Sequence, residues 1–155
     1  MRTLLFLIFS LPLATQAAVT AFEVGPGNTD QLPEGKEADG IIGDLILRND
    51  HVTAVISGNQ PLRRANMSTF YGTGGITPGC LYDLTLNKRQ NDQLTIFAPG
   101  SQRGDISHIR IAQAGGSGAD AVAEIEVVVA AERNKGLYKK HVYRLDSMSR
   151  GLLIT

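Results

Sequence analysis

Two β-branched runs joined by a two-residue turn constrain this chain more than any other feature. Gly43-Asp44-Leu45-Ile46-Leu47-Arg48 and His51-Val52-Thr53-Ala54-Val55-Ile56 are separated only by Asn49-Asp50. Asn and Asp tolerate the positive φ that tight hairpin turns need, and Val, Ile and Thr favour extended backbone. The pair therefore predicts an antiparallel hairpin. Short apolar runs of similar kind follow at 80–86, 93–98, 106–112, 121–131 and 137–145. Within 121–131, Ile125, Val127 and Val129 alternate with Glu124 and Glu126, the period of a half-buried strand. Turn-forming residues separate these runs, at 57–79, 87–92, Gly115-Gly116-Ser117-Gly118 and Asn134-Lys135-Gly136. No stretch carries a helical period. The expected fold is an all-β, antiparallel, sandwich-like domain.

The first residues speak for destination. Met1-Arg2 is a short positive start, residues 3–13 are an apolar run, and small residues follow at Ala14, Thr15, Ala17 and Ala18. That is the layout of a secretory signal peptide spanning residues 1–17, with Thr15 and Ala17 as the small pair and cleavage after Ala17. The run is well short of the roughly 20 residues that span a bilayer as a helix. No cysteine follows it to take a lipid. The expected location is secreted or periplasmic. Residues 18–40 read as a lead-in loop, since Gly, Pro, Asn, Asp and Glu dominate from Val24 onward, and residues 41–155 read as the β domain. The apolar run at 151–155 fits two readings: a strand closing an early edge of the sheet, or a domain whose remaining sheet lies past Thr155.

Composition narrows the partners. Basic and acidic residues balance at 15 each, so no charge excess points to nucleic acid or to an anionic membrane surface. After leader removal no membrane attachment is expected. Cys80 is the only cysteine, which rules out an intramolecular disulfide and leaves stability to the core. Trp is absent and aromatic residues are few, a poor basis for a sugar-stacking platform.

Chemistry-bearing residues are scattered. His51, His108 and His141 lie on different predicted strands without His-x-His or His-x-x-x-His spacing, so they read as solvent-facing strand residues rather than a metal site. Cys80 opens a predicted strand and reads as a small core residue. Gly72-Thr73-Gly74-Gly75 and the glycines at 115–118 lack the Lys-Ser/Thr and the following helix of a phosphate loop, and read as turns. Glu124 and Glu126 share one strand face and could share a cation, though solvated strand glutamates are the ordinary case. Asn66-Met67-Ser68 fits the glycosylation triplet. The best candidate binding surface is Arg63-Arg64 with Tyr71, because guanidinium forks suit carboxylate or phosphate groups and a phenol can stack beside them. No catalytic residue, metal ligand or cofactor is implied.

The hairpin at 43–56, followed by Gly74-Gly75 and Leu81-Tyr82-Asp83-Leu84, resembles the opening β domain of large exported bacterial proteins. In these a Gly-Asp-x-x-Leu-Arg-Asn-Asp-x-Val hairpin precedes a Gly-Gly-x-x-x-Asp-Leu strand. The overlap covers about residues 40–86. Some members carry a metal-dependent hydrolase domain of the polymerase-and-histidinol-phosphatase type further downstream, which has no counterpart here. Residues 124–155 are similar in style to β-supersandwich folds of the galactose-mutarotase kind. The resemblance implies an accessory β module. The function expected is therefore an exported, non-catalytic binding or structural module, with another β domain or chain at an open sheet edge as its kind of partner. The alternative is the front portion of a secreted hydrolase, metal-dependent or carbohydrate-active.

Overall fold

A computed structural model describes residues 17–64, 77–99, 106–129 and 139–155. Among them the chain is all-β, with a 3-10 turn at Thr29–Gln31 and no α-helix. Eight strands follow in order: β1 (Ala18–Glu23), β2 (Leu45–Asn49), β3 (Val52–Ile56), β4 (Leu81–Leu86), β5 (Ile106–Ser117), β6 (Val122–Val129), β7 (Lys139–Asp146) and β8 (Leu153–Ile154). They form one antiparallel sheet in the order β4-β3-β2-β1-β5-β6-β7-β8. The sheet curls into a half-barrel, bringing β2 against β6 and β7. The described strands thus make one sheet folded over its own inner face, where the sequence suggested two stacked ones. A period-2 pattern reports that one face is buried and says nothing about whether one curled sheet or two flat ones do the burying.

The inner face carries the main core: Val19, Ala21, Leu45, Leu47, Ala54, Ile56, Leu81, Ala123, Ile125, Val127, Tyr143 and Leu145, with Ile109, Ile111 and Ile154 at its margins. Ile125 and Val127 point inward and Glu124 and Glu126 outward, as their alternation predicts. On β2 and β3 the opposite face is buried too. Ile46 and Val55 pack there with Val24, Phe22 and Leu32 of the 22–32 segment. This double burial explains why these two strands read as nearly continuous apolar runs.

The lead-in expected over 18–40 begins instead with β1, a central strand flanked by β2 and β5. Its alternation is brief: Val19 and Ala21 are buried and Thr20 and Glu23 exposed. From Val24 on, the segment is irregular and lies over the outer face. Residues 93–98, expected as a strand partner of β4, contribute only the Leu81–Phe97 bridge. β8 joins β7, its neighbour in sequence, and not an early edge.

The glycines at 115–118 also part from expectation. Gly115, Gly116 and Ser117 are not a turn but the end of β5, paired with Thr20, Val19 and Ala18 of β1. Gly115 has φ +97°, and a Cβ there would run into the Val19 carbonyl. Only glycine permits the backbone conformation and the close approach at the position where β5 passes from β6 to β1. The turn itself comes later, with Gly118 accepting the role at φ +113°.

The predicted hairpin forms, one residue out of step. Arg48 opposes Thr53, which leaves Asp50-His51 as the two turn residues. Neither has positive φ; among the described residues only Leu62 and Gln90 do so without being glycine. The Asn49 side chain shapes the turn instead. Its Oδ1 accepts the amides of His51 and Val52, both at 2.8 Å. Its Nδ2 donates to the carbonyls of Asp146 at 2.8 Å and Ser149 at 2.7 Å. One buried amide thus closes the β2–β3 turn and ties it to the segment after β7. The Asn49 carbonyl meanwhile accepts from Asn87 Nδ2.

Asn49→Ala leaves two amides and two carbonyls without that partner, and unsatisfied buried groups cost about 1–3 kcal/mol each before water reaches them. The expected loss is about 3 kcal/mol, read from urea midpoints. Asn49→Asp keeps an acceptor for both amides but turns a carboxylate toward two carbonyls, so it destabilises at neutral pH as well. A loss under about 1 kcal/mol in both variants contradicts the role given to this amide.

Candidate functional site

Arg63 turns inward, away from the solvent-facing surface its Arg63-Arg64 pairing suggested. Its Nε and Nη2 form a fork on Asp44, to Oδ1 at 3.0 Å and Oδ2 at 2.6 Å. Nη2 also donates to the Asp39 carbonyl and Nη1 to the Arg64 carbonyl. The guanidinium lies 4.3 Å above the centre of the Tyr82 ring. Arg64 is exposed, and Tyr71 lies outside the described residues, as do Asn66 and the glycines at 72–75. The sequence signal of paired arginines in a Gly- and Pro-rich loop cannot tell an inward guanidinium from an outward one, because the distinguishing partner, Asp44, is 19 residues away.

Asp44 completes this buried pair. Besides Arg63 it accepts the amides of Ile41 and Gly58. Asp83 on β4 accepts the amides of Asp39 at 2.8 Å and Gly40 at 2.9 Å, pinning the lead-in to the sheet. Asp92 accepts the amides of Leu84 and Leu94 through Oδ1, while its buried Oδ2 has no hydrogen-bond partner. Burial pushes the Asp83 carboxyl up to about 7; its two amide bonds work against this and the neighbouring Asp92 charge adds to it. Burial likewise raises Asp92. Burial also lifts the Tyr82 phenol to about 12, although its hydroxyl is hydrogen-bonded to Thr77 and Arg63 is near. These carboxylates hold backbone amides that no strand partner reaches. Their chemistry is architectural.

The outer face of β6 is equally committed. Glu126 receives Arg110 at 2.7 Å, Lys140 at 3.2 Å and His108 at 3.5 Å. Desolvation alone would raise its carboxyl; the hydrogen bonds from Lys140, Arg110 and His108 outweigh that and hold it below its ordinary range. Glu124 is met by Arg144. The two glutamates share a face, as expected, and each is met by basic side chains. The histidines stay apart: His51 is in the β2–β3 turn, His108 points outward from β5, and His141 lies on the β7 side opposite Glu126 with its pKa lowered by burial and by Lys139. Among the described residues no group of three His, Cys, Asp or Glu could hold a metal ion. Cys80 packs with Tyr82, Ile96 and Ala98, as a small core residue does.

What stays uncommitted lies at one end of the half-barrel. A groove runs where the β2–β3 turn, the end of β4 and the 150–151 segment meet. One half, of about 270 Å³, is lined by Asp50, His51, Leu86, Lys88, Arg89 and Arg150. The adjoining half, of about 220 Å³, is lined by Val52, Leu84, Thr85, Leu86, Arg150 and Gly151. Leu84 and Leu86 are 38% and 47% exposed, on the same face of β4 as the core. They look out through the gap that an incompletely closed barrel leaves. Among the described residues the side chains of Lys88, Arg89 and Arg150 meet no acidic partner. Asp50 is the only carboxylate in the lining. The result is a small trough, apolar along one side and cationic at the rim, built from residues that 100 positions of sequence separate. Nothing in local spacing announces it.

The outer edge of β4 is closed to strand pairing. Leu81 exchanges both of its backbone bonds with Phe97, and the Leu84 amide is held by Asp92. The exposed sheet edge is at β8. Comparison with protein-family models, with curated proteins and with solved structures finds no match to this chain.

Two outcomes follow from the buried carboxylates. Asp44→Ala strands the Arg63 guanidinium, and breaking one side of a buried pair costs about 3–5 kcal/mol; Asp44→Leu with Arg63→Leu together loses less than the sum of the two single changes in a denaturation cycle. Additive losses contradict the pairing. Asp83 binds a proton in the folded state over a range where the unfolded chain has released it. Its contribution to stability is therefore greatest below about pH 4 and declines as pH rises toward about 7. The stability gap between the native chain and Asp83→Asn, measured by urea at pH 5 and pH 8, shifts toward the variant at pH 8; a constant gap contradicts the raised carboxyl.

Proposed function

We propose that this chain is an exported β domain that works by binding, without catalysis of its own, and that the groove between β4 and the 150–151 segment is its binding surface. One contrast carries the reading. Four buried acidic groups, Asp44, Asp83, Asp92 and Glu126, are engaged by backbone amides or basic side chains. The cations around the groove meet no acidic partner among the described residues and stand beside exposed leucines. Ligand sites are typically concave, mostly apolar and edged by a few polar groups. Export rests on the leader pattern at residues 1–17, and β1 starts at Ala18, the residue that cleavage makes the first. The resemblance to opening β modules of exported bacterial proteins points the same way. A fold of this kind does not by itself imply an activity, so the groove and not the sheet bears the argument.

Protein recovered from the exported fraction of expressing cells is expected to begin at Ala18 on N-terminal sequencing. In a fragment screen of that protein by NMR, hits are expected to shift the amides of residues 50–52, 84–89 and 150–151. Retention of the chain in the cytoplasm removes the export half of the reading. Fragments that bind elsewhere, or nowhere, remove the binding half.

A further inference from the structure

We infer that the groove takes a small amphiphilic anion, with a carboxylate or phosphate head at Lys88, Arg89 and Arg150 and a short apolar tail along Leu84 and Leu86. This rests on the binding reading above and names the ligand class for the same site. The three cations come from separate parts of the chain, the turn after β4 and the loop before β8, and converge on one pocket of about 270 Å³. Like charges gathered around a concave surface repel one another, and the field they focus into the cleft is relieved by an anion. Arg89 and Arg150 offer planar forks suited to carboxylate or phosphate oxygens, and Lys88 adds a point charge. His51 supplies a further donor. Asp50, on the same rim, disfavours a second negative group and so limits the ligand to one charged end.

The adjoining half explains why a bare anion is the poorer fit. Leu84 and Leu86 form its wall, and Arg150 belongs to both halves. Head and tail therefore sit on either side of one side chain. Each half is below the roughly 300 Å³ at which ligand pockets usually begin, so the tail is short. A nucleic acid would need a longer basic track than three side chains, and the balanced charge of the chain supplies none.

The test uses the processed protein with hexyl phosphate below its micelle concentration, followed by calorimetry and by NMR amide shifts. One-to-one binding is expected, with shifts at residues 50–52, 84–89 and 150–151. Inorganic phosphate and the nonionic hexyl glucoside are each expected to bind at least tenfold more weakly. Each methylene removed from the tail weakens binding about fourfold. Arg89→Gln and Arg150→Gln each weaken it about fivefold while leaving the thermal midpoint unchanged, since neither side chain has an acidic partner among the described residues. Equal binding of inorganic phosphate, or of the glucoside, overturns the proposal, as does tighter association with phosphatidylglycerol vesicles than with hexyl phosphate. If hexyl phosphate fails while neutral fragments fill the groove, the ligand class is wrong and the binding reading stands. If nothing fills the groove, both fall.

Discussion

A carboxylate taken out of water must find its donors inside the fold, and Asp44 finds four. Two come from Arg63 and two from the amides of Ile41 and Gly58. This buried pair is what lets an irregular segment lie against a sheet. The 24–44 stretch covers the outer face of β2 and β3, where Ile46 and Val55 would otherwise face water. Its backbone has few ladder partners, and buried amides without partners are costly. Asp44 and Asp83 supply the missing acceptors, and Arg63 supplies the missing donor to the Asp39 carbonyl. A buried ion pair is a weak source of net stability. Here it serves as a positional constraint, holding two loops and the Tyr82 ring in one arrangement.

The same logic, carried by an amide instead of a charge, governs the other end of the sheet. Asn49 satisfies two donors of its own turn and two acceptors near β8, joining segments about a hundred residues apart. A half-barrel has no closing ladder to hold its rims together. Side-chain hydrogen bonds across the interior of the curl do that work, and they can do it only where they are shielded from water. Both hubs sit in the 43–50 run, which explains why that run combines a strand's apolar residues with the polar Asp44 and Asn49 at its ends.

Most strands were legible in the sequence; strand partnership, outside the β2–β3 hairpin, was not. β2, β3, β4, β6 and β7 stand out because their β-branched or alternating runs are long enough to show a period. β1 does not, because its inward residues, Val19 and Ala21, are few and follow directly on the small residues of the leader. Gly115 and Gly116 hide the end of β5, since a glycine demanded by close backbone approach looks the same as one demanded by a turn. Among the residues the sequence offered, the shared face of Glu124 and Glu126 and the core placement of Cys80 could be read from the sequence. Arg63 was visible as a residue but not as a buried one, and Lys88, Arg89 and Arg150 come together only because the sheet curls.

The separation between the residues that hold the fold and those that line the groove has a physical origin. A side chain that satisfies buried backbone cannot also reach for a ligand without giving up its first partner, at a cost of some kcal/mol. Asp44, Asp83 and Asp92 are in that position, so a site built on them would open the fold as it bound. Lys88, Arg89 and Arg150 stand on turns whose backbone is already paired, as with the Arg89 amide on the Leu86 carbonyl. They keep rotamer freedom, which makes binding weaker per contact but leaves the fold undisturbed. The exposed leucines beside them are the remaining tension: apolar surface at the gap of a curled sheet is a loss while it faces water. A ligand that covers it and neutralises the rim in one step relieves both, whereas a bare anion or a neutral tail relieves only one.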